Sequence, residues 1–145
     1  MRADSKTEAE VMAVLNQMSK AYATRDMDLL RSILVPDPDV TLIATGVDEK
    51  RVGLPEIQKQ AERDWAQSES ASFAFGWHQV SKADSVVWVA ADLTFKAKVG
   101  GEEMVLPSGR MTAVLENRHG KWLIAQFHVS FPAAGQAEGE SFPTS

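Results

Sequence analysis

A chain of 145 residues, 44% of them hydrophobic, has the size and apolar content of one domain with its own core. Its formal net charge of −5 sets the surface against phosphate backbones and argues against a nucleic-acid partner. The absence of cysteine removes thiol nucleophiles, disulfides and thiolate metal sites, while the polar start MRADSKTEAE and the lack of a membrane-length apolar run argue for a cytoplasmic protein with no membrane partner.

Thr7 and Glu10 form a T-x-x-E capping box, which predicts the start of a first helix there. Val11, Val14, Leu15, Met18 and Tyr22 then recur at helical spacing and make one apolar stripe. Asp26 reads as the N-cap of a second, short helix that buries Leu29, Leu30, Ile33 and Leu34 and is ended by Pro36 and Pro38. A strand over Val40 to Ala44 follows. Gly53 and Pro55 open a third helix with Ile57, Ala61 and Trp65 on its inner side, fading near Ser68. From Ser72 the period changes to two: Phe73, Phe75 and Trp77 alternate with Ala74, Gly76 and His78, as a two-faced strand requires. The run Val86 to Val99, the hairpin signal Gly100-Gly101, and the segments Arg110 to Asn117 and Lys121 to Phe131, joined at His119-Gly120, complete the predicted strands. Short turns between long strands predict antiparallel pairing. The domain is expected over 5–132, with the small, polar stretch 133–145 as a flexible tail.

Gly120-Lys121-Trp122, Phe127-His128-Val129-Ser130 and Pro132 resemble the last strand of SnoaL-like proteins and of the calcium/calmodulin-dependent kinase association domain, both of the nuclear transport factor 2-like superfamily. The resemblance extends through Arg25-Asp26-Met27-Asp28, Thr45-Gly46, Gly53, Val87-Trp88-Val89-Ala90 and Arg110-Met111-Thr112, and so covers nearly the whole domain. It implies an α+β fold, a cone-shaped barrel in which three N-terminal helices pack on a strongly curved antiparallel sheet. In such proteins the conical cavity serves catalysis, ligand binding or oligomer assembly, so fold does not fix function.

Unbroken alternation along the last strand puts Trp122, Ile124, Gln126, His128 and Ser130 on one mixed face, the expected pocket wall. Leu123, Ala125, Phe127, Val129 and Phe131 are then left to pack elsewhere, a second subunit being one candidate. His128 and Ser130 offer donor and acceptor capacity together; the plainer reading of His128 is a structural histidine bonded to a helix carbonyl. Arg110 shares a strand face with Thr112 and would clamp a carboxylate if it points inward, although an arginine near a strand start is ordinarily exposed. Tyr22, the only tyrosine, is either an oxyanion or carbonyl donor or a core residue with a wet tip. Of the tryptophans, Trp65 is taken as a wall of the pocket.

Asp48 and Glu49 follow Thr45-Gly46 in a turn near the expected cavity mouth, as solvated acids or as a gate or proton-transfer pair; Asp92 and Glu116 are strand acids of undetermined facing. Ketosteroid isomerases of the same superfamily pair a first-helix tyrosine with an aspartate base after the first strand. Alignment puts Met18 at that tyrosine position and Ala44 or Thr45 at the base position, so that chemistry is not expected from those positions. His78, His119 and His128 show no metal-ligand spacing, and no phosphate-binding glycine loop or G-x-S-x-G elbow occurs, so no metal and no cofactor are expected.

These readings give a homodimeric small-molecule-binding protein with a pocket of Tyr22, Trp65, Arg110, His128 and Ser130 for a modest apolar or carboxylate-bearing ligand. The alternatives are an isomerase, cyclase or hydratase using a His/Tyr/Arg set, and a non-catalytic oligomerisation module.

Overall fold

Asp4, rather than Thr7, starts the first helix. Its carboxylate accepts from the Thr7 amide at 2.7 Å, so α1 runs Ser5–Thr24 and Thr7 is buried inside its first turn. Glu10 is thereby free to accept from the Trp122 indole, at 3.2 Å. The predicted stripe holds: Val11, Leu15, Met18 and Tyr22 are buried. Asp26 caps α2 (Met27–Ser32) by accepting from the Leu29 amide at 3.0 Å. Ile33 and Leu34 are buried just beyond the end of that helix, beside the last strand. The computed structural model describes residues 1–144.

β1 (Thr41–Ile43) and β2 (Lys50–Val52) form a short antiparallel hairpin, of which β2 carries no readable period. Gly53, at φ +89°, makes the turn from β2 into α3 (Leu54–Ala66), a backbone conformation that other residues adopt only under strain. Four long strands follow: β3 (Ser70–Ala83), β4 (Val86–Val99), β5 (Glu102–Arg118) and β6 (Lys121–Ser130). The sheet order is β2-β1-β6-β5-β4-β3. The long strands pair antiparallel as expected; β1 joins β6 in parallel, the exception to the expected pattern. The sheet is curved but open, with β2 and β3 as its edges.

Three register shifts bend it, between Phe75 and His78, between Leu93 and Phe95, and between Val114 and Leu115. At the second, Gly109 lies so close to β4 that a Cβ there would sit 2.7 Å from the Leu93 carbonyl oxygen. The third changes the reading of β6. Val114 pairs with Gln126 and Leu115 with Ile124, leaving Ala125 as the extra residue of a bulge. Alternation inverts there: Trp122 and Ile124 are buried before the bulge, Phe127 after it, and Gln126 and His128 are exposed.

Helix α1 lies against β3 and β6, and its stripe meets the concave sheet face in one core that includes Leu15, Leu30, Met111, Leu115 and Ile124. Each such leucine or isoleucine contributes about 1.5–3 kcal/mol by leaving water. Residues 133–144 form turns without helix or strand, tied within themselves by bonds such as Thr144 amide to Gly135 carbonyl at 3.0 Å; Ser145 of the expected tail lies outside the described residues. No helix among the described residues is long and apolar enough to cross a membrane.

Candidate functional site

Between the helices and the concave sheet lies a cavity of about 260 Å³. Leu93 and Phe95 of β4 form one wall, with Phe127, Val129 and Phe131 from and just beyond β6. Val99, Met104 and Leu106, from the outer part of the β4–β5 hairpin, extend the apolar lining. The wall thus uses the apolar face of β6, which the bulge at Ala125 turns inward.

One corner is polar. Tyr22, brought in by the buried stripe of α1, donates its hydroxyl to Asp64 Oδ2 at 3.0 Å. Asp64 stands one turn beyond Gln60 on α3, and the Gln60 amide donates to Asp64 Oδ1 at 2.8 Å and to Glu49 Oε1 at 3.2 Å. Gln60 is 1% exposed, and its own oxygen accepts from Arg51 Nε at 3.0 Å, so every strong demand of this buried amide is met. Glu49, from the turn between β1 and β2, folds back to accept from the Gly46 amide at 2.8 Å. A Cβ at position 46 would lie 2.9 Å from Glu49 Cδ, so glycine is what admits this fold-back. Arg63 bonds Glu49 Oε1 at 3.1 Å and Asp48 at 2.6 Å, outside the cavity lining.

This wiring sets the charges. Burial pushes the Asp64 carboxyl above its ordinary value; the bonds from Gln60 and Tyr22 oppose that, and the negative Glu49 adds to it. Burial, then the charge of Asp64, holds the Tyr22 phenol well above its usual range, so it remains a protonated donor. Asp48, exposed and bonded to Arg63, is held below the usual carboxylate range.

Of the residues expected to form the pocket, Tyr22 alone lines it. Trp65 packs edge-on against Tyr22, ring centroids 5.7 Å apart, without lining the cavity. Arg110, His128 and Ser130 do not line it. Arg110 and His128 are exposed on the opposite sheet face, where Arg110 pairs in register with Ser130 and donates to the Phe131 carbonyl at 3.3 Å. Asp92 is exposed on that face too, and Glu116 pairs with Arg118. Met18, Ala44 and Thr45 do reach the cavity, carrying no acid. The polar corner adds Asp64 and Gln60, which the sequence reading did not single out. They follow Ile57 at helical spacing on the inner side of α3, so the signal was two polar residues on a stripe read from its apolar members. Among the described residues no group of three or more His, Asp or Glu could hold a metal ion.

The outer sheet face carries a second depression, lined by Trp77 and Trp88 with Gln79, Ser81, Thr112 and Gln126. Trp77 is 59% and Trp88 44% exposed.

No curated protein matches the chain. Among solved structures, a nuclear transport factor 2-like superfamily protein from Salmonella enterica serovar Typhimurium is similar with a TM-score of 0.82 at 17% identity, over 97% of this chain and 100% of that one. A protein from Xanthomonas campestris, assigned provisionally as a calcium/calmodulin-dependent protein kinase II association domain, is similar with a TM-score of 0.77 at 24% identity, over 92% and 95%. A provisionally assigned scytalone dehydratase from Novosphingobium aromaticivorans gives a TM-score of 0.77 at 11% identity, over 88% and 85%. At these identities the likeness is one of fold. The family profile of the SnoaL-like domain matches residues 11–134, most of the described fold, and the chain therefore belongs to the SnoaL-like domain family.

Proposed function

We propose that this protein binds a compact, largely apolar small molecule in the cavity, with the ligand's polar end at Tyr22 and Asp64. The observation that carries this reading is a largely apolar cavity whose polar lining, Tyr22, Thr45, Glu49, Asp64, Gln67 and Ser68, comes from the ends of α1 and α3 and the β1–β2 turn, the arrangement by which small-molecule sites gain affinity from the walls and orientation from few polar groups. Glu49 and Asp64 are the charged side chains of the lining, and Arg110 faces away from it, which argues against the carboxylate-bearing ligand expected at first. Thermal-shift measurement against a panel of small cyclic alcohols, ketones and amines should give stabilisation that is abolished by Ala97→Phe, which fills the cavity from a buried lining position on β4. No stabilisation by any compound, or stabilisation unchanged by Ala97→Phe, would contradict the reading.

A second reading is a proton-transfer enzyme of the isomerase, cyclase or hydratase kind, with Asp64 in the role first considered for His128. It is favoured by the raised proton affinity of a carboxyl in an apolar pocket beside a phenol donor. Exchange of the acidic C–H protons of cavity-sized cyclic ketones, followed by NMR in deuterium oxide, should then be lost in Asp64→Asn and kept in His128→Ala.

A homodimer joined through the outer sheet face is part of the same proposal. Two half-exposed tryptophans on one depression support it, since aromatic residues are enriched at interfaces relative to the rest of a protein surface. Sedimentation should show a dimer that the pair Trp77→Arg and Trp88→Arg dissociates without loss of folding.

A further inference from the structure

Asp64 is the one acid of the polar corner that makes no ion pair among the described residues. Its two oxygens accept from Gln60 and Tyr22, both neutral, at 2.8 and 3.0 Å. The nearby cations are engaged elsewhere, Arg63 on Asp48 and Glu49 and Arg51 on Glu56 and the Gln60 oxygen. A carboxylate drawn out of water with only neutral donors is destabilising until a cation reaches it. Each of its oxygens retains acceptor capacity. The lining that surrounds it contains no Lys, Arg or His, while Tyr22, Phe73, Phe95, Phe127 and Phe131 supply aromatic rings whose negative faces attract a cation. Glu49 adds a second negative charge to the lining, and the guanidinium that pairs with it, Arg63, stands outside the lining. Charge, hydrogen-bond capacity and ring chemistry therefore ask for the same missing partner.

We propose that the ligand is an amine, carried as the ammonium ion on a compact apolar or aromatic body, with its N–H groups on Asp64 and its charge against the aromatic wall. This rests on the cavity being the ligand site and narrows the class of ligand it takes. An ammonium supplies donors to Asp64 and cancels the buried charge in one step. A neutral alcohol would supply the donor alone, and a carboxylate would be repelled by both Asp64 and Glu49. Tyr22 fixes the Asp64 carboxylate in place and makes the rim of the binding corner.

The test uses three probes of one shape, 2-phenylethylamine, 2-phenylethanol and phenylacetate, titrated by calorimetry into the full chain at neutral pH. The amine is expected to bind at least about tenfold tighter than the alcohol, and phenylacetate more weakly than either. Asp64→Asn, which keeps a side chain of the same shape, should bring the amine down to the affinity of the alcohol while the alcohol still binds, which also shows that the variant is folded. Tyr22→Phe should weaken the amine and leave its preference over the alcohol. The affinity of the amine should rise with pH as Asp64 ionises. The groups that face it are Tyr22 from α1, Gln60 and Arg63 from α3 and Glu49 from the β1–β2 turn, and the same titration of Asp64→Asn isolates its part from theirs. Alcohol binding equal to or tighter than amine binding would overturn the amine class and leave the cavity reading standing. Failure of all three probes to bind would overturn both, and an amine preference that survives Asp64→Asn would overturn the assignment to Asp64.

Discussion

Gln60 holds the polar corner together. Its amide separates two carboxylates, those of Glu49 and Asp64, by donating to both, while its oxygen engages Arg51. Gln60→Ala would leave those acids facing each other without the shared donor, and should cost about 2–3 kcal/mol in a denaturant titration. Gln60→Glu should cost more, because it adds a third charge. Asp64 acts on stability in the opposite direction. Its carboxyl is raised in the folded protein, so the folded state holds its proton to higher pH than the unfolded chain does. That contribution is neutral below the unfolded value and becomes a loss of stability as pH rises through the folded one. Asp64→Asn should therefore raise the melting temperature of the unliganded protein at neutral pH, and the gain should shrink toward zero in acid. A gain that persists unchanged at low pH would show that the cause is something other than the charge.

The strand β6 shows where sequence reasoning stops. Its residue types gave the strand and its ends to within one residue, because β-branched and aromatic side chains bounded by Gly120 and Pro132 leave little choice. Its facing was not readable, since period two holds only while pairing is regular, and the extra residue Ala125 is a property of the pair β5–β6 rather than of β6 alone. That one residue moved His128 and Ser130 off the cavity and put Phe127 on it. Deleting Ala125 would remove the bulge and leave Trp122, Ile124, Phe127 and Val129 at period two on one face, so the core side chains stay inward and only the local bend is lost. The variant should therefore fold, with a modest loss of stability from the changed bend, read by circular dichroism and urea titration; failure to fold would show that the bend itself is required. Helix α1 was legible for the opposite reason: its buried stripe is carried by its own spacing, and only its first turn was misplaced, because Asp4 caps ahead of Thr7.

At the scale of the molecule, the three helices and the curved sheet followed from periodicity, turns and resemblance together, since the period change near Ser72 and the glycine turns leave one antiparallel arrangement of the long strands. The parallel β1–β6 contact depends on long-range pairing, which local pattern does not encode. The fold assembles residues distant in sequence, Tyr22, Glu49, Asp64 and Phe127, around one space, and the account rests on that space being where a ligand sits. Titration of isotope-labelled protein with 2-phenylethylamine, followed by backbone NMR, tests this most directly. Shift changes are expected to centre on Tyr22, Asp64, Phe127 and Val129, with the outer-face residues Trp77, Gln79 and Trp88 unmoved; changes centred on those outer-face residues, with the cavity residues unmoved, would contradict a ligand site in the cavity.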